Sequence, residues 1–413
     1  MDWEIGDSHA TTDPMTNPQV RREFFGPRDN FPLSAHDFAV ACAWCDAMVA
    51  LRNDRPAYLA AHGLDPRIHL PAHMWGQGFV ASNFEKMARK DYHTINHLRC
   101  LTYNFTGFSL LTMAPCENTP EVLVVPEDAD SIIRGVAGRA ADAAVEYVRS
   151  SRNLPKERRV DTPRMFGESG WEVDGAIVNY DTWSTQQRIN ALHGSGLLDF
   201  LQRRVERRGH ARIVEIGAGY GNLAYTLHRL LGPLEYFVVD LPESMIYSSV
   251  YLDTVLPEAH CRLATPGRAL PTGNPGVTFV GNHTIAEFLP QIGEVDLVIN
   301  VMSPSEMSPD QVRHYGRCAR DLIGNQGVFY EQNYMLPGVH TDIVAVLRQE
   351  LAYGARLAET PDPHRGRGTA RIWANRYSGE LWNRGGIEEV LTNHPPLAAG
   401  SSNLRQPLAV GPA

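Results

Sequence analysis

Three glycines, Gly217, Gly219 and Gly221, close the apolar run ARIVEIG inside the segment VEIGAGYGNLAYTL (214–227), and two carboxylates, Glu215 and Asp240, bracket them. Glycine lets a backbone turn sharply and approach a ligand closely. A helix starting just beyond it offers free N–H groups and partial positive charge. Two cofactor chemistries use such a turn. A dinucleotide site reads G-x-G-x-x-G and sets a pyrophosphate at the helix start. Here the spacing is G-x-G-x-G, and position 222 is Asn. Glu215, two residues before the first glycine, would repel a pyrophosphate and suits a ligand bearing an ammonium and a sulfonium. Asp240 ends the next apolar run, where a carboxylate can accept both ribose hydroxyls in either chemistry. The plain alternative is a turn that only packs strand on helix, and the two flanking carboxylates argue against it.

The elements that must position these groups alternate. ARIVEIG, YFVVD (236–240), VTFV (277–280), DLVINV (296–301) and VFYEQ (328–332) read as strands, with RLAET (356–360) and TARIWAN (369–375) as a final pair. Asn222 to Leu231 reads as a helix closed by Gly232. Ser308-Pro309-Asp310 opens another as N-cap, first residue and first-turn acid, ending near Gly324. Strand–helix alternation predicts an α/β fold with a doubly wound parallel sheet. Upstream, Ser34 caps a helix to about Leu51, a second runs from Asp128 to Val148, and a third from Thr182 to about Arg207. The stretch SSRNLPKERRVDTPR reads as a linker or surface loop.

The segment Glu215–Gly221 with Asp240 resembles the S-adenosylmethionine (SAM) site of class I methyltransferases, over about residues 210–375. More narrowly, NYD (179–181), VEIGAGYGNLAYTL, VDLPESM (239–245), INVMSPSEMSPDQVRHY (299–315) and FYEQN (329–333) are similar to the sugar O-methyltransferase family of bacterial secondary metabolism. That match reaches back to about Arg164, through MFGESGWEVDGAIVNYDT. Pro304 departs from the family pattern, which has a bulkier residue there. The resemblance implies a mostly parallel seven-stranded sheet of class I methyltransferase type with a helical N-terminal domain, and SAM as cofactor. It places the methionine end near Glu215 and Gly217 and the ribose on Asp240. Gly219, Gly221, Leu241, Asn282 and Asn300 are further cofactor contacts. The resemblance also implies that the acceptor is a small-molecule hydroxyl on a sugar or glycosylated metabolite.

Transfer to a hydroxyl needs a base within hydrogen-bond reach, and such groups gather beyond the carboxyl ends of the strands. Glu306 follows the fourth strand and is the first candidate. Its alternative role is to cap the helix at Pro309 or pair with an arginine. His283 follows the third strand and can serve as base or border the adenine. Tyr180, Asp181, Glu331, Gln332, Asn333 and His340 are candidates to face the acceptor, with a divalent cation or a surface-loop role also open for Asp181. His93 and His97 share a helix face at a zinc-pair spacing without a third ligand, so no metal is expected. Cys42 and Cys45 read as core packing.

The chain has 413 residues, 43% apolar and 21% charged, with a net charge of −9. A mildly acidic globular protein is a poor partner for nucleic acid or anionic membrane. Six cysteines, no long apolar run and a polar, acidic start predict a cytoplasmic, reduced protein. The expected organisation is a mainly helical region at 1–204 for lid, substrate or oligomer contacts, a SAM-binding domain at 205–395 and a loose tail at 396–413. The aromatics Trp75, Tyr92 and Tyr103 serve a helical core and a homodimer surface, or a lid over the cleft. Carbon or nitrogen methylation, an NAD(P)-dependent oxidoreductase and a non-catalytic binding protein are the competing readings.

Overall fold

The computed structural model describes residues 20–26, 29–71, 79–102, 129–151, 154–334, 341–362 and 366–375. The expected mobile start and loose tail, and the side chains of Trp75, Tyr103 and His340, lie outside them. In chain order, β1 (Val20–Phe25) precedes the long helix α1 (Ala35–Ala61) and the short helices α2 (Pro66–His69), α3 (Phe79–Ala88), α4 (Tyr92–Asn96) and α5 (Leu98–Leu101). Then come α6 (Ala129–Ser151), the hairpin β2 (Gly170–Val173) and β3 (Ala176–Val178), α7 (Tyr180–Gly194) and α8 (Leu197–Arg208). An alternating series follows: β4 (Ala211–Ile216), α9 (Asn222–Leu231), β5 (Leu234–Asp240), α10 (Pro242–Val255), β6 (Arg262–Leu263), β7 (Gly276–Gly281), α11 (Ile285–Ile292), β8 (Leu297–Val301), α12 (Pro309–Ile323), β9 (Val328–Tyr334), α13 (Ile343–Glu350), β10 (Tyr353–Asp362) and β11 (Gly366–Ala374).

The chain forms two compact units, Met1–Pro32 with Arg99–Gln186, and Leu33–Leu98 with Gln187–Ala413. It is not divided by one cut near residue 205, because α1 packs on α10 and so belongs with the second unit. In the first unit, β1, β2 and β3 form an antiparallel sheet in that order. Asp174 and Gly175 both take positive φ, 51° and 91°, as a two-residue hairpin turn requires. Ala143, Ala144, Tyr147 and Val148 of α6 bury against Val173, Val178 and Trp183. Beside its helices, this region therefore carries a small sheet of its own, which the expectation of a mainly helical domain did not include.

In the second unit the sheet order is β10-β11-β9-β8-β4-β5-β7-β6. Neighbours from β9 to β6 are parallel, while β11 runs antiparallel to both β9 and β10. The sheet has eight strands, not the expected seven. The addition is β6, two residues long and too short to show a periodicity. Val214, Phe237, Val298, Phe329 and Trp373 line one face under α11, α12 and α13. On the other face His228 of α9 meets Tyr236, and Trp44 of α1 meets Phe279 edge-on. Among the described residues, no strand before Ala211 joins this sheet.

Helix α1 starts at the expected cap, where Ser34 and Asp37 form a reciprocal capping box. It runs on past Leu51 to Ala61, because Arg55 and Leu59 continue its buried face. There Arg55 makes two hydrogen bonds to Glu243 of α10, at 2.7 and 3.0 Å.

Candidate active site

Strand β4 lies between β5 and β8, to which the chain moves in opposite directions, so a crevice opens beyond its carboxyl end. The glycine loop fills that edge. Gly217 has φ 75° and donates its N–H to the Val239 carbonyl at 2.9 Å. A Cβ on Gly217 would strike the side chain of Ser303, so the loop is pressed against the segment after β8. Gly221, φ 95°, sits at the N-cap of α9, and a Cβ there would lie 2.9 Å from Leu252. Both glycines are dictated by backbone sign and by close approach.

Asp240 ends β5 and ties the loop down. Its Oδ2 accepts from Gly219 N–H at 3.3 Å and from Ser244 Oγ at 2.9 Å, and its Oδ1 accepts from Leu241 N–H at 2.7 Å. Burial pushes the carboxyl up to about 6, against the lowering effect of those donors. Glu215 is 3% exposed and accepts from the Tyr236 hydroxyl at 2.7 Å. Its carboxyl is raised to about 7 by burial, opposed by that hydrogen bond and by the charge of Arg188. Hence Glu215 can change charge near neutral pH, and a cation placed beside it would favour its ionised form.

At the end of β8, Asn300 donates from Nδ2 to Ser303 Oγ at 2.9 Å, while its buried Oδ1 has no partner. Met302 beyond it has φ 69°, a costly value for a side-chain-bearing residue, and donates its N–H to the Gln332 carbonyl. Glu306 ends the short helical turn Ser303–Glu306 and is partly exposed. It is not the cap of α12: Ser308 holds that place in a capping box with Gln311.

At the end of β7, Asn282 donates to the His69 carbonyl at 2.9 Å, and Gln311 donates to the carbonyls of Ile68 and Leu70. His283 is 1% exposed, stands edge-on to Tyr58, and is lowered to about 4 by burial and by the charges of Arg55 and His69. It is neutral at neutral pH and closed in by its neighbours.

On β9, Glu331 is 0% exposed and accepts from Arg371 at 2.8 Å and from Asn333 Nδ2 at 2.7 Å. Register sets Asn300 beside Glu331, and Glu331 beside Arg371, so three adjacent strands carry one polar row. Asn333 Oδ1 is buried without a partner. Gln332 points to the other face and accepts from Tyr330. Glu331 is thus an ion-paired member of the row rather than an open contact.

Tyr180 and Asp181 belong to the first unit. Asn179 caps α7, accepting from the N–H groups of Asp181 and Thr182. Asp181 accepts from Arg99 at 2.7 Å, and Arg99 also donates to Glu168 at 2.9 Å, with Arg99 fully buried. Tyr180 packs against Trp183. NYD thus supplies a cap, a ring contact and a buried ion pair within the first unit. Among the described residues, no group of three or more His, Cys, Asp or Glu could hold a metal ion. The His97 ring pairs with the His93 carbonyl, and Cys45 is buried in the core. No helix among them is long and apolar enough to cross a membrane.

Sequence reasoning missed Arg188, Ser244, Ser303 and Arg371. The serines had a signal, since each follows a strand end within the motifs VDLPESM and NVMSPSE. The arginines had none, because only the packing of α7 and the register of β11 bring them in.

No protein-family model matches the chain, and no curated protein matches it. Among solved structures, it is similar to a precorrin-6y C5,15-methyltransferase from Geobacter metallireducens, at 13% identity and TM-score 0.29, over 43% of this chain and 87% of that one. It is similar also to the bifunctional kinase-methyltransferase WbdD, at 14% identity and TM-score 0.32, over 46% of this chain but only 39% of WbdD. A third is an arsenic(III) S-adenosylmethionine methyltransferase from Chlamydomonas reinhardtii, at 18% identity and TM-score 0.26, over 40% and 62% of the two chains.

Proposed function

We propose that this chain is a SAM-dependent methyltransferase acting on a hydroxyl of a small polyhydroxylated acceptor, a sugar or glycosylated metabolite. The carrying observation is Glu215, a buried carboxylate at the end of β4 beside the glycine loop and Asp240. An anion there opposes a pyrophosphate and favours a cationic ligand. The residues fit the cofactor. Gly217–Gly221 leave backbone room, Asp240 keeps acceptor capacity for ribose hydroxyls, and the unpartnered Asn300 Oδ1 can take a donor. When bound, SAM supplies an electrophilic methyl group on its sulfonium.

The chain's own task is to bind and orient the acceptor beside that site, an alignment that can supply several kcal/mol. Asn300 and Asn333 offer acceptors to hydroxyl donors, and the Arg371–Glu331 pair holds the row rigid. Glu306 is the proposed base: it stands just after β8, partly exposed, while Ser308 caps the next helix. His283 is assigned to the adenine side, since it is enclosed and a weak base.

Calorimetry with SAM, followed by release of S-adenosylhomocysteine with a panel of sugars and glycosides, tests the reading. Asp240→Ala should weaken SAM roughly tenfold to a hundredfold, the loss of a charge-assisted hydrogen bond. Part of that loss comes from freeing Gly219, and Ser244→Ala measures how much the anchoring alone matters. Glu306→Gln should lower kcat about 10²–10⁴-fold with SAM affinity within a few-fold. Binding of NAD(P) in place of SAM would sink the assignment. A normal kcat in Glu306→Gln would move the reaction to carbon or nitrogen, or to transfer without a protein base.

A further inference from the structure

We propose that Glu331 is a positioning residue that sets the polarity of the acceptor subsite. Backed by Arg371, it turns the Asn333 amide so that the subsite offers carbonyl oxygens at Asn333 and Asn300. Such a subsite takes a neutral ring with two hydroxyl donors and rejects carboxylates and phosphates. This rests on the methyl-transfer reading above and adds the charge class of the acceptor and the residue that selects it. The row lies on the sheet face under α11, α12 and α13, where Val298, Phe329 and Trp373 are core. Two residues nearer the glycine-loop edge, on the same side of each strand, stand Asn300, Glu331 and Arg371. Three neighbouring strands therefore turn from apolar to polar in step, and Asn333 continues the row along β9.

The direction of each hydrogen bond follows from the groups. Arg371 carries donors alone and gives one to Glu331 Oε1 at 2.8 Å. A carboxylate so paired can only accept, and its Oε2 takes Asn333 Nδ2 at 2.7 Å. That leaves Asn333 its carbonyl oxygen, which is buried with no partner. Asn300 repeats the pattern, giving Nδ2 to Ser303 Oγ at 2.9 Å and keeping a buried, unpartnered Oδ1. Asn282 Oδ1 is in the same state, but at the end of β7, three strands from β8. Asn300 and Asn333 share one row, about 8 Å apart by strand spacing and rise, a span suited to one sugar ring. A buried oxygen without a donor is costly to the empty chain, and a ligand hydroxyl recovers that cost. A carboxylate or phosphate would set lone pairs against lone pairs, and the arginine of the row is already committed to Glu331.

The test measures S-adenosylhomocysteine release by the full chain with methyl glycosides of glucose, galactose, mannose and rhamnose, set against glucuronic acid and glucose 6-phosphate. The best neutral glycoside and its monodeoxy derivatives are then compared in the wild type and Glu331→Gln, with SAM affinity followed by calorimetry. Neutral glycosides should exceed both anions by roughly tenfold or more in kcat/KM. Glu331→Gln brings an amide of its own, which lets Asn333 turn either way. Its KM should rise roughly tenfold to hundredfold, with kcat and SAM affinity within a few-fold. The deoxy derivative lacking the hydroxyl held by Asn333 should be poor with the wild type and lose nothing further in the variant. A preference for either anion overturns the proposal. An equal KM rise for every deoxy derivative, or a fall in SAM affinity, also overturns it and makes Glu331 a structural member of its ion pair. SAM binding without methylation of any neutral glycoside overturns the subsite and leaves the cofactor reading intact, whereas no SAM binding removes both. Should Glu331→Gln not fold, Asn333→Leu is put through the same deoxy comparison, and an unchanged KM overturns the proposal.

Discussion

Glu215 keeps its proton up to about pH 7 in the folded chain but releases it near 4.5 when unfolded. Its contribution to stability is therefore complete below 4.5 and is lost as pH rises through 7. His228, His283 and His314 behave oppositely. Each is lowered from 6.5 to about 4, so the unfolded chain takes up protons across that window and stability rises with pH. Asp240, raised from 3.8 to about 6, works on the side of Glu215. Three histidines against two carboxyls predict a melting temperature that climbs from pH 4.5 to 6.5. In Glu215→Gln, which still accepts from Tyr236, that climb should be steeper and the plateau above pH 7 higher. A lower plateau, seen by thermal melts across pH, would show that ionised Glu215 carries no burial penalty. Gly217→Ala pays about 1–2 kcal/mol for its backbone sign before the collision with Ser303 is counted. Urea unfolding should show a larger loss than that, with only part recovered in Gly217→Ala/Ser303→Gly. At this scale Glu215, Asp240 and the glycines were legible because chemistry and order along the chain suffice to mark them. Arg188 was not, since nothing local distinguishes it from any helix arginine.

Strands β4, β5, β7, β8 and β9 are buried on both faces and so read as continuous apolar runs, which made them plain in the sequence. The hairpin β2–β3 carries its own mark in Asp174-Gly175 between short apolar runs, inside the motif MFGESGWEVDGAIVNYDT. Helix α10 hid for another reason: it is buried nearly all round, so no polar stripe gives it a period. Part of its burial comes from α1, and the clasp between them is testable. Arg55 and Glu243 are each 7% exposed in their side chains. Removing one partner of a buried pair costs about 3–5 kcal/mol, whereas replacing both by apolar groups of similar size is often neutral. Arg55→Ala should thus melt well below the wild type, and Arg55→Met/Glu243→Leu close to it. A double variant as weak as the single one would mean the pair is needed for geometry rather than charge balance.

The two units alternate along the chain, since Leu33–Leu98 belongs to the second unit and lies between two segments of the first. Motif order along a sequence cannot reveal such a path; only the α1–α10 contact does. A fragment of residues 205–413 leaves Met245, Tyr247 and Val250 of α10 without α1 and should lack a cooperative thermal transition by circular dichroism. A chain beginning at Leu33 keeps α1 and should retain the main transition, losing the pairing of β1 with β2 and the hydrogen bonds of Asn30 with Glu168 and of Phe31 with Arg164. A sharp melt from the shorter fragment would show that α1 is dispensable. The separation of α1 from α10 along the chain also sets a clock on the ribosome. Arg55 and Glu243 are 188 residues apart in the chain. At about 5–20 residues per second, roughly 10–40 s separate their emergence. Throughout that wait the apolar side of α1, with Met48, Leu51 and Leu59, lacks α10, and only the short helices α3 and α4 emerge early enough to pack on α1. The nascent protein offers chaperones an amphipathic helix for nearly half of its synthesis.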